Sequence, residues 1–210
     1  RVVASHRTRR FVAARLVSVA RLDSARVGMD LWIGGDAMDG RDGDGQVTLF
    51  ERGNDDLGTP AWVLDIVRRI VGQIELDPCS NPWAQSLVRA ESAISKHEGM
   101  DGLFRWSTIA SRNVWLNPPY SNPKPWALRA VEAADDGLEV FALVKLDPST
   151  EWSRILRSRP RAVCDFHKRI RFEGGKYAAG AMASTLIYFG PRPFLFCHVF
   201  QDVGEVRACR

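Results

Sequence analysis

The sequence has no apolar run long enough to cross a bilayer. It has few cysteines: Cys79, Cys164, Cys197 and Cys209, no two of them close in the chain. That spacing makes neither a zinc signature nor a disulfide framework, and it fits a reducing cytosol. No internal repeat is present. The stretch "DGDGQ" has the flavour of a calcium loop but lacks its full spacing and terminal glutamate, so no metal is expected. His97 and His167 stand apart from any partner in sequence and read as structural.

What is present bounds the chain to one sizeable domain. Its 210 residues are 45% hydrophobic and 26% charged, enough apolar material for a real core. The formal net charge of +4 is unevenly placed. Residues 1–28 hold seven arginines against one acid, Asp23, so that segment carries +6 and residues 29–210 net to −2. The basic balance therefore does not by itself make the core a nucleic-acid binder. Three readings of residues 1–28 stay open: upstream sequence translated from a misplaced start, a basic arm touching nucleic acid, or a targeting peptide. Residues 35–58 are rich in Gly and Asp. We therefore expect 1–58 to be a flexible or partly non-native leader and 59–210 to be the folded domain.

From Thr59 the pattern becomes regular. Thr59 is the expected N-cap of a helix and Pro60 its first residue, followed by "AWVLDIVRRIVG" with Val63, Ile66, Val67 and Ile70 on one face and Gly72 as the stop. Strands are expected over Ile74–Asp77, ended by Pro78, and over "NVWL", ended by Asn117. Residues 84–112 read as a helix with irregular segments. "KPWALRAVEAADDG" is a helix, "EVFALVKL" a buried parallel strand, and "STEWSRILRS" a helix. "AVCDF", "RIRF", "STLIYFG" and "FLFCHVF" are expected as closing strands. The alternation predicts an α/β fold: a Rossmann-like, mostly parallel sheet with helices on both faces and antiparallel strands at the C-terminal end.

Ligands in such sheets bind at the C-terminal ends of the strands. Three strands end in a polar residue beside proline, "ELDP", "WLNPP" and "KLDP", which would line Asp77, Asn117 and Asp147 along one edge. The second is the most informative. Adjacent prolines cannot extend a sheet, since each lacks an N–H and has a fixed φ. They can, however, hold two acceptors at a set separation: the Asn117 side-chain carbonyl and the Pro118 backbone carbonyl. Tyr120 adds a flat ring. Two rigid acceptors and a ring suit a planar NH2 group on a heterocycle, as in adenine. Holding its hydrogens would favour a localised nitrogen lone pair, and catalysis becomes positioning plus electrostatic stabilisation.

"NPPY" resembles the motif of amino-methyltransferases that use S-adenosylmethionine. With "TPAWVLDIV", "ELDPCSNPWA", "DGLFRW", "ALVKLDPSTEW", "KRIRFEGG" and "STLIYFG" in order, the chain from Thr59 to Gly190 resembles the phage-type DNA N-6-adenine methyltransferase (Dam) family. The resemblance implies that Asn117, Pro118, Pro119 and Tyr120 hold the target adenine. It implies that Thr59, Pro60, Asp77, Pro78, Cys79 and Asp101 bind S-adenosyl-L-methionine, with Leu103 alongside. It also implies a phage or prophage enzyme working on DNA in the cytoplasm of a bacterial host. "LDPCSNPWA" departs from the usual pattern in having no glycine after the first strand.

Residues 150–176 hold eight Lys or Arg against three acids. A phosphate-binding surface there would use Arg154, Lys168, Arg169, Arg171 and Lys176. Two other functions share the constellation. A protein glutamine amide offers a similar NH2 group, and a degenerate phage DNA-binding protein would keep the basic stretch without the cofactor.

Overall fold

The computed structural model describes residues 57–95, 101–173 and 182–209. The expected leader therefore lies outside the described residues, except for Leu57 and Gly58, which are buried. Helix α1 (Ala61–Val71) comes first, then strand β1 (Leu76–Ser80), α2 (Pro82–Val88) and β2 (Ser92–Ser95). A 3-10 turn at Trp106–Thr108 leads to β3 (Asn113–Leu116), α3 (Pro123–Asp135) and β4 (Glu139–Lys145). The chain closes with α4 (Glu151–Leu156), β5 (Ala162–Phe166), β6 (Ser184–Phe189), α5 (Pro193–Phe200) and β7 (Gly204–Ala208). Among the described residues no helix is long and apolar enough to cross a membrane.

The strands form one mixed seven-stranded sheet in the order β2-β1-β3-β4-β6-β5-β7. Strands β2, β1, β3 and β4 are parallel neighbours. β6 runs antiparallel to both β4 and β5, and β7 antiparallel to β5. β5 thus points the same way as β1, β3 and β4. Side-chain alternation sends residues of each central strand to two separate cores. Trp115, Phe141, Leu143, Leu186 and Tyr188 pack on one face with Val63, Leu64 and Val67 of α1 and Phe196 and Phe200 of α5. Val114, Leu116, Val140, Ala142, Val144 and Ile187 pack on the other with Ala127, Ala130 and Ala133 of α3, Leu156 of α4 and Trp106. Helices cover both faces, and the fold is α/β as expected.

Several expectations need correction. β1 does not stop at Asp77 but runs through Pro78 to Ser80. Its pairing with β2 shifts register between Asp77 and Ser80, so the donor that proline lacks falls where the ladder is already irregular. "FLFCHVF" is a helix, not a strand. Pro193 opens it, and Phe196, Val199 and Phe200 repeat at helical spacing on its buried side. "RIRF" contributes only an isolated bridge, Ile170 to Met182. The N-cap of α1 is Pro60 rather than Thr59, and no side chain caps that end. β2 and β7 were not expected. Both are short edge strands of polar or mixed residues, with little apolar alternation to mark them.

Candidate active site at the ends of β1 and β3

β1 and β3 lie side by side, with Leu76 opposite Val114. From β1 the chain moves outward to β2, then returns to place β3 on the other side of β1. The order reverses between them, and in sheets of this kind such a reversal marks where ligands bind at the C-terminal strand ends. Asp77 is buried on one side. Asn117, one residue past β3, stands on the other. The Cys79 thiol joins the two sides by donating to the Asn117 backbone carbonyl at 3.0 Å.

Burial shapes the electrostatics here. It pushes the Asp77 carboxyl up to about 7, despite hydrogen bonds from the Ser80 side chain and the Cys79 N–H. It likewise raises the Cys79 thiol, with the Asp77 charge adding to the effect. Burial also raises the Tyr120 phenol.

The partners of the polar atoms are more telling. Buried side-chain polar atoms are nearly always hydrogen-bonded in folded proteins, and each orphan costs about 1–3 kcal/mol. Among the described residues, five have no partner: Thr59 Oγ1, Asn117 Oδ1, Tyr120 Oη, Ser153 Oγ and Arg157 Nε. Three of these belong to the residues expected in the site. The Asn117 amide is fixed on its other side, where Nδ2 donates to the Leu57 carbonyl at 3.1 Å. A carbonyl can only accept, so the amide must turn its NH2 toward Leu57 and leave Oδ1 as an unused acceptor. Pro118 beside it is buried, and Pro119 and Tyr120 are half-buried.

A glycine is required where another segment packs against the end of β1. A Cβ on Gly102 would sit 1.7 Å from the Pro78 carbonyl oxygen and 2.9 Å from the Trp126 ring. Only glycine lets this segment lie against the end of β1. The buried Trp106 indole anchors it by donating to the Gly102 carbonyl at 2.9 Å. The neighbouring Asp101 is exposed, and its carboxylate accepts from the Leu103 N–H at 2.9 Å. Asp101 is thus brought to the same strand end as Pro78. Thr59 and Pro60 are both buried at the start of α1. Asp147, past the end of β4, closes its own turn by accepting from the Ser149 hydroxyl at 2.6 Å.

The basic residues divide into two groups. Arg157 pairs with Asp165 at 3.0 Å, and Arg159 pairs with Asp135, so both serve the fold. Arg154 on α4 is exposed. So are Lys168, Arg169 and Arg171, in the segment that leaves β5 at the same edge of the sheet as Asn117. Lys176 and His97 lie outside the described residues. Glu173 ends that segment with two backbone hydrogen bonds to Gly58, at 2.7 and 2.8 Å.

Comparison with known proteins decides the lineage. The profile of the DNA N-6-adenine-methyltransferase (Dam) family matches residues 46–188, well over half of the chain. The chain belongs to this family. It is also similar to the DNA N-6-adenine-methyltransferase of Haemophilus phage HP1 (strain HP1c1), at 28% identity over 120 residues. That match covers 54% of this chain and 64% of the phage protein, so the chain spans just under two-thirds of that relative. For a Dam-family chain, three contributors escaped sequence reading. Leu57 and Glu173 act through backbone atoms, which leave no residue signature. Gly102 was legible in principle, as a glycine next to the acid already singled out.

Proposed function

We propose that the protein is an S-adenosyl-L-methionine-dependent, adenine-specific DNA methyltransferase of phage or prophage type, with residues 59–210 as its methyltransferase domain. The observation that carries this reading is the half-satisfied Asn117 amide: Nδ2 is held by Leu57, while Oδ1 is buried and unpartnered. In this reading Asn117 Oδ1 and the Pro118 carbonyl accept the two hydrogens of the adenine amino group. The Tyr120 ring carries the face of the base, which has left the duplex stack. No side chain needs to act as a strong base before transfer.

The residues present fit the cofactor. A buried carboxylate with no cation beside it among the described residues, Asp77, suits a positively charged ligand. The orphaned Thr59 hydroxyl and the exposed Asp101 carboxylate add polar groups for the rest of it. When bound, S-adenosylmethionine supplies an electrophilic sulfonium methyl. Pro60, Pro78 and Cys79 would shape the walls around it, and Arg154, Lys168, Arg169, Arg171 and Lys176 would take DNA phosphates. The exposed cations at the same edge favour DNA over a protein glutamine amide as the acceptor.

The test is labelled-methyl transfer to DNA. Asn117→Ala is expected to cut the rate by roughly a hundred- to a thousandfold, the scale set by loss of a transition-state contact. Its cofactor binding should stay near that of the unaltered protein. Wild-type rates in that variant, or label arriving only on protein, would sink the reading.

A further inference from the structure

We propose that Leu57–Thr59 is a positioning strap: it fixes the Asn117 amide from behind and is itself held by the segment that follows β5. The catalytic consequence rests on the function proposed above, whereas the strap's geometry does not. An asparagine χ2 torsion is soft, so an unrestrained amide presents either its oxygen or its NH2 to a ligand. Only the oxygen can accept from an amino group, and NH2 against NH2 repels. The motif "NPPY" fixes where Asn117 stands but not which way its amide turns. The Leu57 carbonyl makes that choice, through the 3.1 Å bond from Nδ2.

Leu57 has its own restraints. Its side chain is buried in the core that contains α1. The next residue, Gly58, exchanges two backbone hydrogen bonds with Glu173: Gly58 N–H to the Glu173 carbonyl at 2.7 Å, and Glu173 N–H to the Gly58 carbonyl at 2.8 Å. Three residues before Glu173, Ile170 exchanges a similar pair with Met182 at 2.9 and 3.0 Å. Exposed Lys168 and Arg171 sit on this same segment. The unused acceptor of Asn117 and the cations proposed to meet DNA are therefore tied to one run of backbone bonds.

Two substitutions open the clasp, one from each side. Gly58→Pro removes the N–H that reaches Glu173 and forces Leu57 toward extended backbone. Glu173→Pro removes the reciprocal N–H. With either variant, kcat for methyl transfer is expected to fall roughly 10- to 100-fold, the scale of a small misplacement. KM for DNA should change less than kcat, and binding of S-adenosylhomocysteine should change little. A rise in KM with kcat unchanged overturns the proposal.

The spectroscopic readout is independent of activity. In the unaltered full chain the Asn117 side-chain NH2, assigned by its loss in Asn117→Ala, should exchange with solvent at least about fivefold more slowly than a free amide. Gly58→Pro should abolish that protection. Exchange at the free-amide rate in the unaltered protein overturns the proposal even if neither variant folds. Should the unaltered protein fail to methylate adenine, the proposed function falls, and the exchange measurement still decides the strap.

Discussion

Asn113 and Asn117 bracket the same strand, and the fold treats them in opposite ways. At the start of β3, Asn113 accepts from the Glu75 N–H at 3.0 Å and donates to the Gln73 carbonyl at 3.1 Å, so both ends of its amide are used. Past the end of β3, Asn117 uses only its NH2. The contrast extends along both edges of the sheet. At the lower edge Glu75 accepts from the N–H groups of Ser111 and Arg112. Buried Glu139 accepts from the Tyr188 hydroxyl and pairs with Arg192, which also donates to the Ile70 carbonyl in the last turn of α1. At the upper edge, around β1 and β3, and among the described residues, Asp77 is buried without a cation and three hydroxyl or amide oxygens are orphaned. Polar groups whose bonds are complete hold the fold. Those left incomplete at one edge are what a ligand would complete.

The sharpest way to break this comparison is to replace an acid by its amide at each edge. Asp77→Asn should stabilise the protein at pH 8. The folded value near 7, against an ordinary 3.8, means that the folded state keeps a proton the unfolded chain has released. Stability from this group therefore falls as pH rises from about 4 to about 7 and is flat above, by at most about 4 kcal/mol. Urea melts of wild type and Asp77→Asn across that range should converge at low pH and separate above neutrality. Parallel curves would remove the argument. A cationic ligand beside Asp77 should bind more tightly at pH 8 than at pH 6, with proton release visible by calorimetry in two buffers.

Glu139→Gln should act in the opposite sense and lose about 2–4 kcal/mol, because it leaves Arg192 without its carboxylate. A melting temperature unchanged from wild type would show that this network contributes little. The smallest effect is expected at Thr59→Val, which removes an orphaned hydroxyl while keeping the shape. It should gain about 1 kcal/mol of stability in the free protein and lose cofactor affinity by calorimetry. A loss of stability instead would mean that the hydroxyl has a partner within the fold.

Much of the central sheet was legible because its strands are apolar throughout and its helices have clear amphipathic spacing. β4 and α1 are the plainest cases. The polar strand ends at Asp77 and Asn117 were legible for a related reason: proline beside a polar residue at the end of an apolar run marks where the chain leaves the sheet. α5 differs from the strand its sequence suggests because a short apolar run has no period that separates strand from helix, and Pro193 at its first position decides for the helix. The continuation of β1 through Pro78 could not be seen, since the register shift that tolerates the proline depends on β2. Backbone contributors such as the Leu57 carbonyl are invisible in any sequence. Their role is set by where the chain passes, not by what side chain it carries.

The clasp between Gly58 and Glu173 joins the start of the folded part to the segment that follows β5, and it sets an order of events during synthesis. β6, which follows Glu173, inserts between β4 and β5. A nascent chain that has left the ribosome only as far as β4 carries "NPPY" but cannot yet close the strap. Long-range closures of this kind come late in folding. The protein therefore acquires an aligned Asn117 only after the chain has passed β5.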